Sequence, residues 1–193
     1  MWRSELNEAV VDAVAPKAGE RVVDVGAGMG PGSIRAAKTG ATVVAAEPTP
    51  FLRTVLRVRR LGQRARRKLE VRDAAAEHLG VADGSIDALW AVNTMHHWVD
   101  VDAGVGEIAR VLAPGGRFFL VDEDFTDPAH PEYGIWGDDH HDDGGDDSLH
   151  HGFTLVDAEE MGQRFRAAGV EGVIAERRAV SGRPSVVVRR GVD

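Results

Sequence analysis

The 193-residue sequence predicts an α/β fold, a parallel sheet with helices on both faces, and three observations carry that expectation. Short apolar runs of strand length alternate with amphipathic segments of helical period, the arrangement that makes crossover connections and parallel strands. The first run passes through "DVGAGMGPGS" directly into a helical segment, so a glycine-rich turn joins a strand to a helix. The chain closes on two extended runs separated by Ser181, Gly182 and Arg183, a turn that suits an antiparallel hairpin.

The elements follow in order. "SELNEAVVDAVAP" sets Leu6, Val10, Ala13 and Val14 on one helical face, and Pro16 with Gly19 closes this lead-in helix, which occupies residues 1–16. "ERVVDVG" reads as a buried strand, after which Pro31 stands where a first helical turn tolerates it and Gly40 can cap the end. "ATVVAAEP" is a second strand ending at Glu47, and "PFLRTVLRVRRLG" is a helix with Phe51, Val55 and Val58 expected inward. "KLEVRDA" and "SIDALWAVN" continue the strands. "VDAGVGEIARVLAPGG" is a helix that Pro114 and the two glycines should stop, and "RFFLVDED" is a fifth strand. Residues 125–152 lose all periodicity in a segment rich in Asp, His, Gly and Pro, read as a loop or lid. "TLVDAEEMGQRFRAAG" restores a helix with Leu155, Met161, Phe165 and Ala168 inward, ahead of the terminal pair of strands.

Composition limits what this architecture can serve. The length suits one domain over residues 1–193. Zero cysteines exclude disulfides, thiolate metal sites and a cysteine nucleophile, and agree with a reducing compartment. No run reaches the roughly 18 apolar residues of a membrane span, and the first residues lack a signal-peptide pattern. The expectation is a soluble cytoplasmic protein with no membrane partner. A net charge of -8 argues against a general nucleic-acid binder, which needs a basic face.

Gly26, Gly28 and Gly30 follow a strand and precede a helix, the context in which such glycines let a ligand approach the backbone while free amides favour a negative group. Glu47 ends the next strand, 21 residues after Gly26, where a carboxylate can accept hydrogen bonds from both ribose hydroxyls. A nucleoside ligand follows. A dinucleotide fingerprint needs a third glycine where Pro31 or Ser33 stands, and a P-loop needs a Gly-Lys-Ser or Gly-Lys-Thr that is missing. A nicotinamide oxidoreductase would also need a tyrosine proton donor, and Tyr133 in the irregular segment is the single tyrosine.

The run Asp24, Gly26, Ala27, Gly28, Gly30 resembles the first motif of class I S-adenosylmethionine-dependent methyltransferases, and the resemblance extends along most of the chain. Glu47, with Pro48 beside it, resembles the ribose-binding acid of that family. Asp73 in "VRDAAAEHL" resembles the acid that contacts the adenine amino group, with the Ala74 amide facing the ring. "IDALWAVNTMHHWVD" resembles the fourth strand and active-site loop, and "LAPGGRFFLVDE" the turn and fifth strand. The resemblance implies a Rossmann-like, mostly parallel seven-stranded sheet with an antiparallel last strand, S-adenosyl-L-methionine as cofactor, and ligands across the carboxyl ends of the strands.

Methyl transfer from a sulfonium is an in-line displacement, accelerated by positioning and by excluding water. A base is needed only if the acceptor must lose a proton. His96 and His97 follow the fourth strand and are the candidates, against the alternative that "HHW" simply packs the loop. Asn93 and Thr94 can line the cofactor pocket or cap the turn. "NTMHHW" departs from the Asn-Pro-Pro-Tyr and Asp-Pro-Pro-Tyr motifs of the amide- and adenine-amino-methylating branches, which leaves a small-molecule oxygen, nitrogen or carbon acceptor as the expected substrate.

Two charged runs remain. In "WGDDHHDDGGDDSLHHGF", Asp139, Asp143, Gly144, Asp147 and His150 approach calcium-loop spacing, but His141 holds the third position and His150 the twelfth, where a bidentate Glu belongs. A solvated surface loop, a lid presenting His140, His141, His150 or His151, and a metal site are the readings; no metal is assigned. Arg53, Arg57, Arg59, Arg60, Arg64, Arg66, Arg67 and Lys68 read as a solvated helix face, with RNA or an acidic partner as the functional alternative. The acidic and basic runs can also pair within one chain or across a homodimer. A noncatalytic module that kept the fold, and methylation of RNA or protein through the arginine-rich face, are the remaining alternatives.

Overall fold

The computed structural model describes residues 4–133 and 156–192. In chain order these form α1 (Glu5–Val14), β1 (Arg21–Val25), α2 (Pro31–Ala37), β2 (Thr42–Ala46), α3 (Pro50–Leu61), β3 (Leu69–Arg72), β4 (Ile86–Val92), α4 (Val101–Val111), β5 (Leu112–Glu123), α5 (Ala158–Ala167), β6 (Val173–Val180) and β7 (Arg183–Arg190), with short 3-10 turns at Arg66–Lys68 and Met95–His97. The seven strands make one sheet in the order β3-β2-β1-β4-β5-β7-β6. The first five run parallel; β7 alone is reversed, antiparallel to both β5 and β6. The sheet expected from the sequence is present, and the turn at Ser181 and Gly182 does join a hairpin.

Alternation along the strands divides the core into two layers. Val23, Val44, Leu89 and Phe118 face α4 and α5, where Ile108 and Phe165 are fully buried. Phe118 and Phe165 stack with ring centroids 4.9 Å apart. Val22, Val43, Ala88 and Phe119 face the other way, toward Leu6 of α1, Ile34 of α2 and Leu56 of α3. Each buried Val, Leu, Ile or Phe among these contributes about 1.5–3 kcal/mol. Helices α1, α4 and α5 start on side-chain caps, where Ser4, Asp100 and Asp157 each accept a backbone N–H.

The structure corrects several local expectations. In α3 the inward residue is Leu56, fully buried, while Phe51 is 71% and Val58 64% exposed and Val55 is half-buried. The apolar period had two phases, and Leu56 wins because it fills the space beneath the glycine loop. α4 ends at Val111, and β5 begins at once: Pro114 and its glycines form a bulge inside the strand, between the pairs Ile86 with Leu112 and Ala88 with Arg117. α2 ends at Ala37, with Gly40 beyond it in the following turn. In α5, Met161 and Phe165 are buried as expected but Ala168 is exposed past the helix end. Leu155 and the acidic run from Gly134 on lie outside the described residues, as do the lid and calcium-loop readings placed there.

Candidate active site

The carboxyl ends of β1, β2 and β4 open into a cavity of about 750 Å³, within the roughly 300–1,000 Å³ usual for small-molecule sites. Its floor is the turn after β1. Gly26 (φ 66°) passes so close to the β4 loop that a Cβ would lie 2.6 Å from Thr94 Cγ2. At Gly30 a Cβ would fall inside the Leu56 side chain. Gly28 has nothing within 4 Å of where a Cβ would stand, so its backbone faces the open cavity. The three glycines thus serve two purposes: Gly26 and Gly30 let neighbouring elements close in, and Gly28 leaves room for a ligand.

Glu47, buried at the end of β2, reaches across this turn. Its Oε2 accepts from the Gly28 amide at 2.7 Å and its Oε1 from the Thr49 amide at 2.7 Å. Arg53 fixes the segment from behind, donating to the carbonyls of Glu47 and Pro48 at 2.8 Å each and to Asp73 Oδ2 at 2.9 Å. One cation of the supposedly solvated arginine face is therefore buried and structural.

Beneath the turn, Asp24 is almost fully buried and accepts the Ser33 hydroxyl at 2.5 Å. Burial, set against the Ser33 hydrogen bonds, pushes its carboxyl up to about 7. Gly32 closes over it, since a Cβ there would lie 3.2 Å from Asp24 Oδ2 and 2.9 Å from the Trp90 indole nitrogen. Asp24 shapes the turn from below and does not line the cavity.

The opposite wall is the loop after β4. Asn93 sits in the left-handed region (φ 53°), which asparagine tolerates better than most residues. A paired contact with Glu123 on β5 holds it: Asn93 Nδ2 donates to Glu123 Oε1 at 2.7 Å, and the Glu123 amide donates to Asn93 Oδ1 at 2.9 Å. Glu123 also accepts from Arg183 at 2.6 Å and is 3.0 Å from His130 Nε2. Because His130 Nδ1 accepts the Glu132 amide, its proton resides on Nε2 and points at Glu123. Burial opposes ionisation of Glu123, and the hydrogen bonds from Asn93, Arg183 and His130 outweigh it, holding the carboxyl below its ordinary range.

Next along β5, the fully buried Asp122 accepts the backbone amides of Thr94, Met95 and His96 at 2.9, 3.3 and 3.0 Å and contacts His96 Nδ1 at 2.9 Å. This contact turns the His96 ring toward Asp122. The far end of the loop is pinned by Glu77, whose Oε1 accepts the Val99 and Asp100 amides at 2.7 and 3.2 Å. Trp98 fills the space between, donating to Thr94 Oγ1 at 3.1 Å and packing over Gly104.

Of the residues expected from sequence, Gly26, Ala27, Gly28, Glu47, Pro48, Asn93 and His97 all line the cavity. Gly30, Asp73, Ala74 and His96 do not. Asp73 is exposed and paired with Arg53, and the segment after β3 meets the cavity through Ala75, Ala76 and Glu77. His96 turns back onto Asp122 and lies 4.0 Å, centroid to centroid, from the His97 ring. Sequence reasoning missed Asn7 of α1, Leu52 of α3, Glu77 and Trp98. Asn7 carried a visible signal, a polar residue beside Leu6 on an otherwise apolar helix face; Glu77 carried none, because its partners are more than twenty residues away.

Comparison with known proteins agrees with this geometry. The methyltransferase domain model matches residues 23–120, just over half of the sequence, and the chain belongs to that family of S-adenosylmethionine-dependent enzymes. The chain is similar to methyltransferase GfsG of Streptomyces halstedii, 40% identical over 120 residues, covering 61% of this chain and 42% of that protein. It is 37% identical over 131 residues to a demethylmenaquinone methyltransferase of Clavibacter sepedonicus, covering 68% of this chain and 50% of the relative. The chain thus spans about half or less of the length of these curated relatives. In fold it resembles a SAM-dependent methyltransferase from Aquifex aeolicus, with a TM-score of 0.68 at 19% identity over 96% of this chain and 89% of the other.

Proposed function

We propose that this chain catalyses transfer of the methyl group of S-adenosylmethionine to an oxygen, nitrogen or carbon atom of a small molecule. The observation that carries the reading is the Glu47 carboxylate, held by the Gly28 and Thr49 amides at the wall of an open cavity. The residues fit the cofactor: Gly28 leaves the cradle clear, and each Glu47 oxygen retains a second lone pair for a vicinal diol. Ala75 and Ala76 offer an apolar wall for a flat ring. Asn7, reaching in from α1, adds a polar contact at the mouth of the glycine turn.

Held by Glu47 and the glycine turn, S-adenosylmethionine would supply an activated methyl group on a sulfonium, with the thioether as the leaving group. The protein's own contribution is placement. Asp122 and Glu77 clamp the Asn93–Val99 loop at both ends, so the acceptor meets a rigid wall. His97, which lines the cavity, takes the proton of a hydroxyl or amine acceptor, while His96, fixed by Asp122, positions the ring beside it. The names of the relatives support a small molecule over a macromolecule as acceptor. A cytoplasmic setting accords with the cysteine-free sequence, and no helix among the described residues is long and apolar enough to cross a membrane.

The test is transfer of labelled methyl from S-adenosylmethionine to a panel of phenolic, sugar-hydroxyl, amine and quinol acceptors. Turnover is expected with at least one, with His97→Ala lowering kcat by about 100-fold or more on acceptors that must lose a proton. Cofactor binding without turnover across the panel would favour a noncatalytic module.

A further inference from the structure

Among the described residues, the outer face of α3 does not line the cavity. Phe51, Val58 and Leu61 are 71%, 64% and 66% exposed, and with half-buried Val55 they follow one another at helical spacing along the side of α3 away from Leu56. The same segment concentrates positive charge. Residues 50–68 hold 8 of the chain's 23 basic residues and no acid, in a chain with 31 acidic residues. Arg57, Arg64, Arg66, Arg67 and Lys68 are exposed, and Arg60 Nε donates to the Arg66 carbonyl at 2.9 Å, which ties the basic 3-10 turn to the end of α3.

We propose that this face is a docking surface for an anionic lipid bilayer. An exposed apolar stripe bordered by arginine and lysine is the chemistry of a helix lying in a membrane interface, with side chains entering the acyl boundary and cations meeting lipid phosphates. The charge distribution sets the orientation: the basic face turns toward the negative surface, and the acidic remainder of the chain is repelled from it. Nucleic acid fits less well, because phosphate contact gives no reason to expose three aliphatic or aromatic side chains, and Phe51 alone offers no stacking platform. The sequence expectation of no membrane partner rested on the lack of a span-length apolar run and of a signal-peptide pattern, which does not bear on surface contact by an exposed face such as that of Phe51 and Val58.

The test is cosedimentation of the full chain with vesicles of phosphatidylcholine containing a third phosphatidylglycerol, and with vesicles of phosphatidylcholine alone. Binding is expected to the anionic vesicles only and to weaken as salt rises. Two multiple variants separate the components, each first checked for an unchanged Tm. Arg57→Gln with Arg64→Gln, Arg66→Gln and Arg67→Gln should weaken vesicle binding on the order of 100-fold. Phe51→Ser with Val58→Ser and Leu61→Ser should weaken it about tenfold or more while leaving RNA binding unaltered. Failure to bind anionic vesicles at low salt would overturn the proposal. So would vesicle binding insensitive to the apolar variant, tighter binding to RNA than to vesicles, or an apolar variant that merely splits a dimer or releases a segment of the chain itself.

Discussion

The two walls of the cavity are built by different means. The cofactor wall, from β1 to Glu47, is assembled from backbone amides and missing side chains, with partners close in sequence: Gly28 and Glu47 are 19 residues apart, Glu47 and Thr49 only 2. The acceptor wall after β4 is assembled from buried carboxylates that reach 22 to 30 residues along the chain, from Glu77, Asp122 and Glu123 to the loop they hold. In the proposed function the first wall holds the cofactor and the second faces the acceptor, whose loop residues can change while the carboxylate clamps stay in place.

The largest expected effect falls on the second wall. Asp122→Ala leaves three amides and an imidazole without their acceptor, and should cost about 3–5 kcal/mol and abolish turnover; chemical denaturation with a methyl-transfer assay checks it. A loss under about 1 kcal/mol would mean the loop is held by its own packing.

Asp24 tests the first wall from below. Its folded-state carboxyl, near 7, lies above the ordinary 3.8, so the folded protein holds that proton more tightly. Stability from this group is fully present below about pH 4, declines between about 4 and 7, and is lost above. Asp24→Asn should therefore raise stability at pH 8 by roughly 2 to 4 kcal/mol, a gain that vanishes toward pH 4. Thermal melts of both proteins across that range give the answer, and an equal difference at every pH would contradict the buried-carboxyl account.

A smaller effect is expected at Glu123→Gln, which keeps an oxygen for Asn93 but loses the charge that Arg183 and His130 satisfy. About 1–3 kcal/mol of stability should go, with kcat falling more than the cofactor KM rises, because the proposed function sets the Asn93–Val99 loop against the acceptor. Smallest of all, Val58→Ser should stay within about 0.5 kcal/mol, whereas Leu56→Ala, only two residues away, should cost about 2–5 kcal/mol.

That last pair shows where sequence was legible. The strand and helix order, the reversed β7, and the Gly26, Gly28 and Glu47 wall were readable because period, glycine spacing and strand ends are local signals. The phase of α3 was not, since Phe51, Val55, Val58 and Leu52, Leu56 are both plausible apolar faces and only contact with Gly30 decides between them. Asp73 stands outside the cavity for a similar reason: which residue after β3 lines it depends on how the chain turns, and Arg53 draws Asp73 outward. The roles of Asp122 and Glu123 were invisible as two acids at a strand end, because their partners come from another strand's loop.

The central claim is that Glu47 and the glycine turn hold S-adenosylmethionine. Calorimetric titration of S-adenosylhomocysteine, S-adenosylmethionine and NAD into the wild type and Glu47→Ala tests it most directly. The account predicts binding of both adenosyl ligands, no preference for NAD, and a loss of about 100-fold in affinity in Glu47→Ala. Equal affinity in the variant, or tighter binding of NAD, would contradict it.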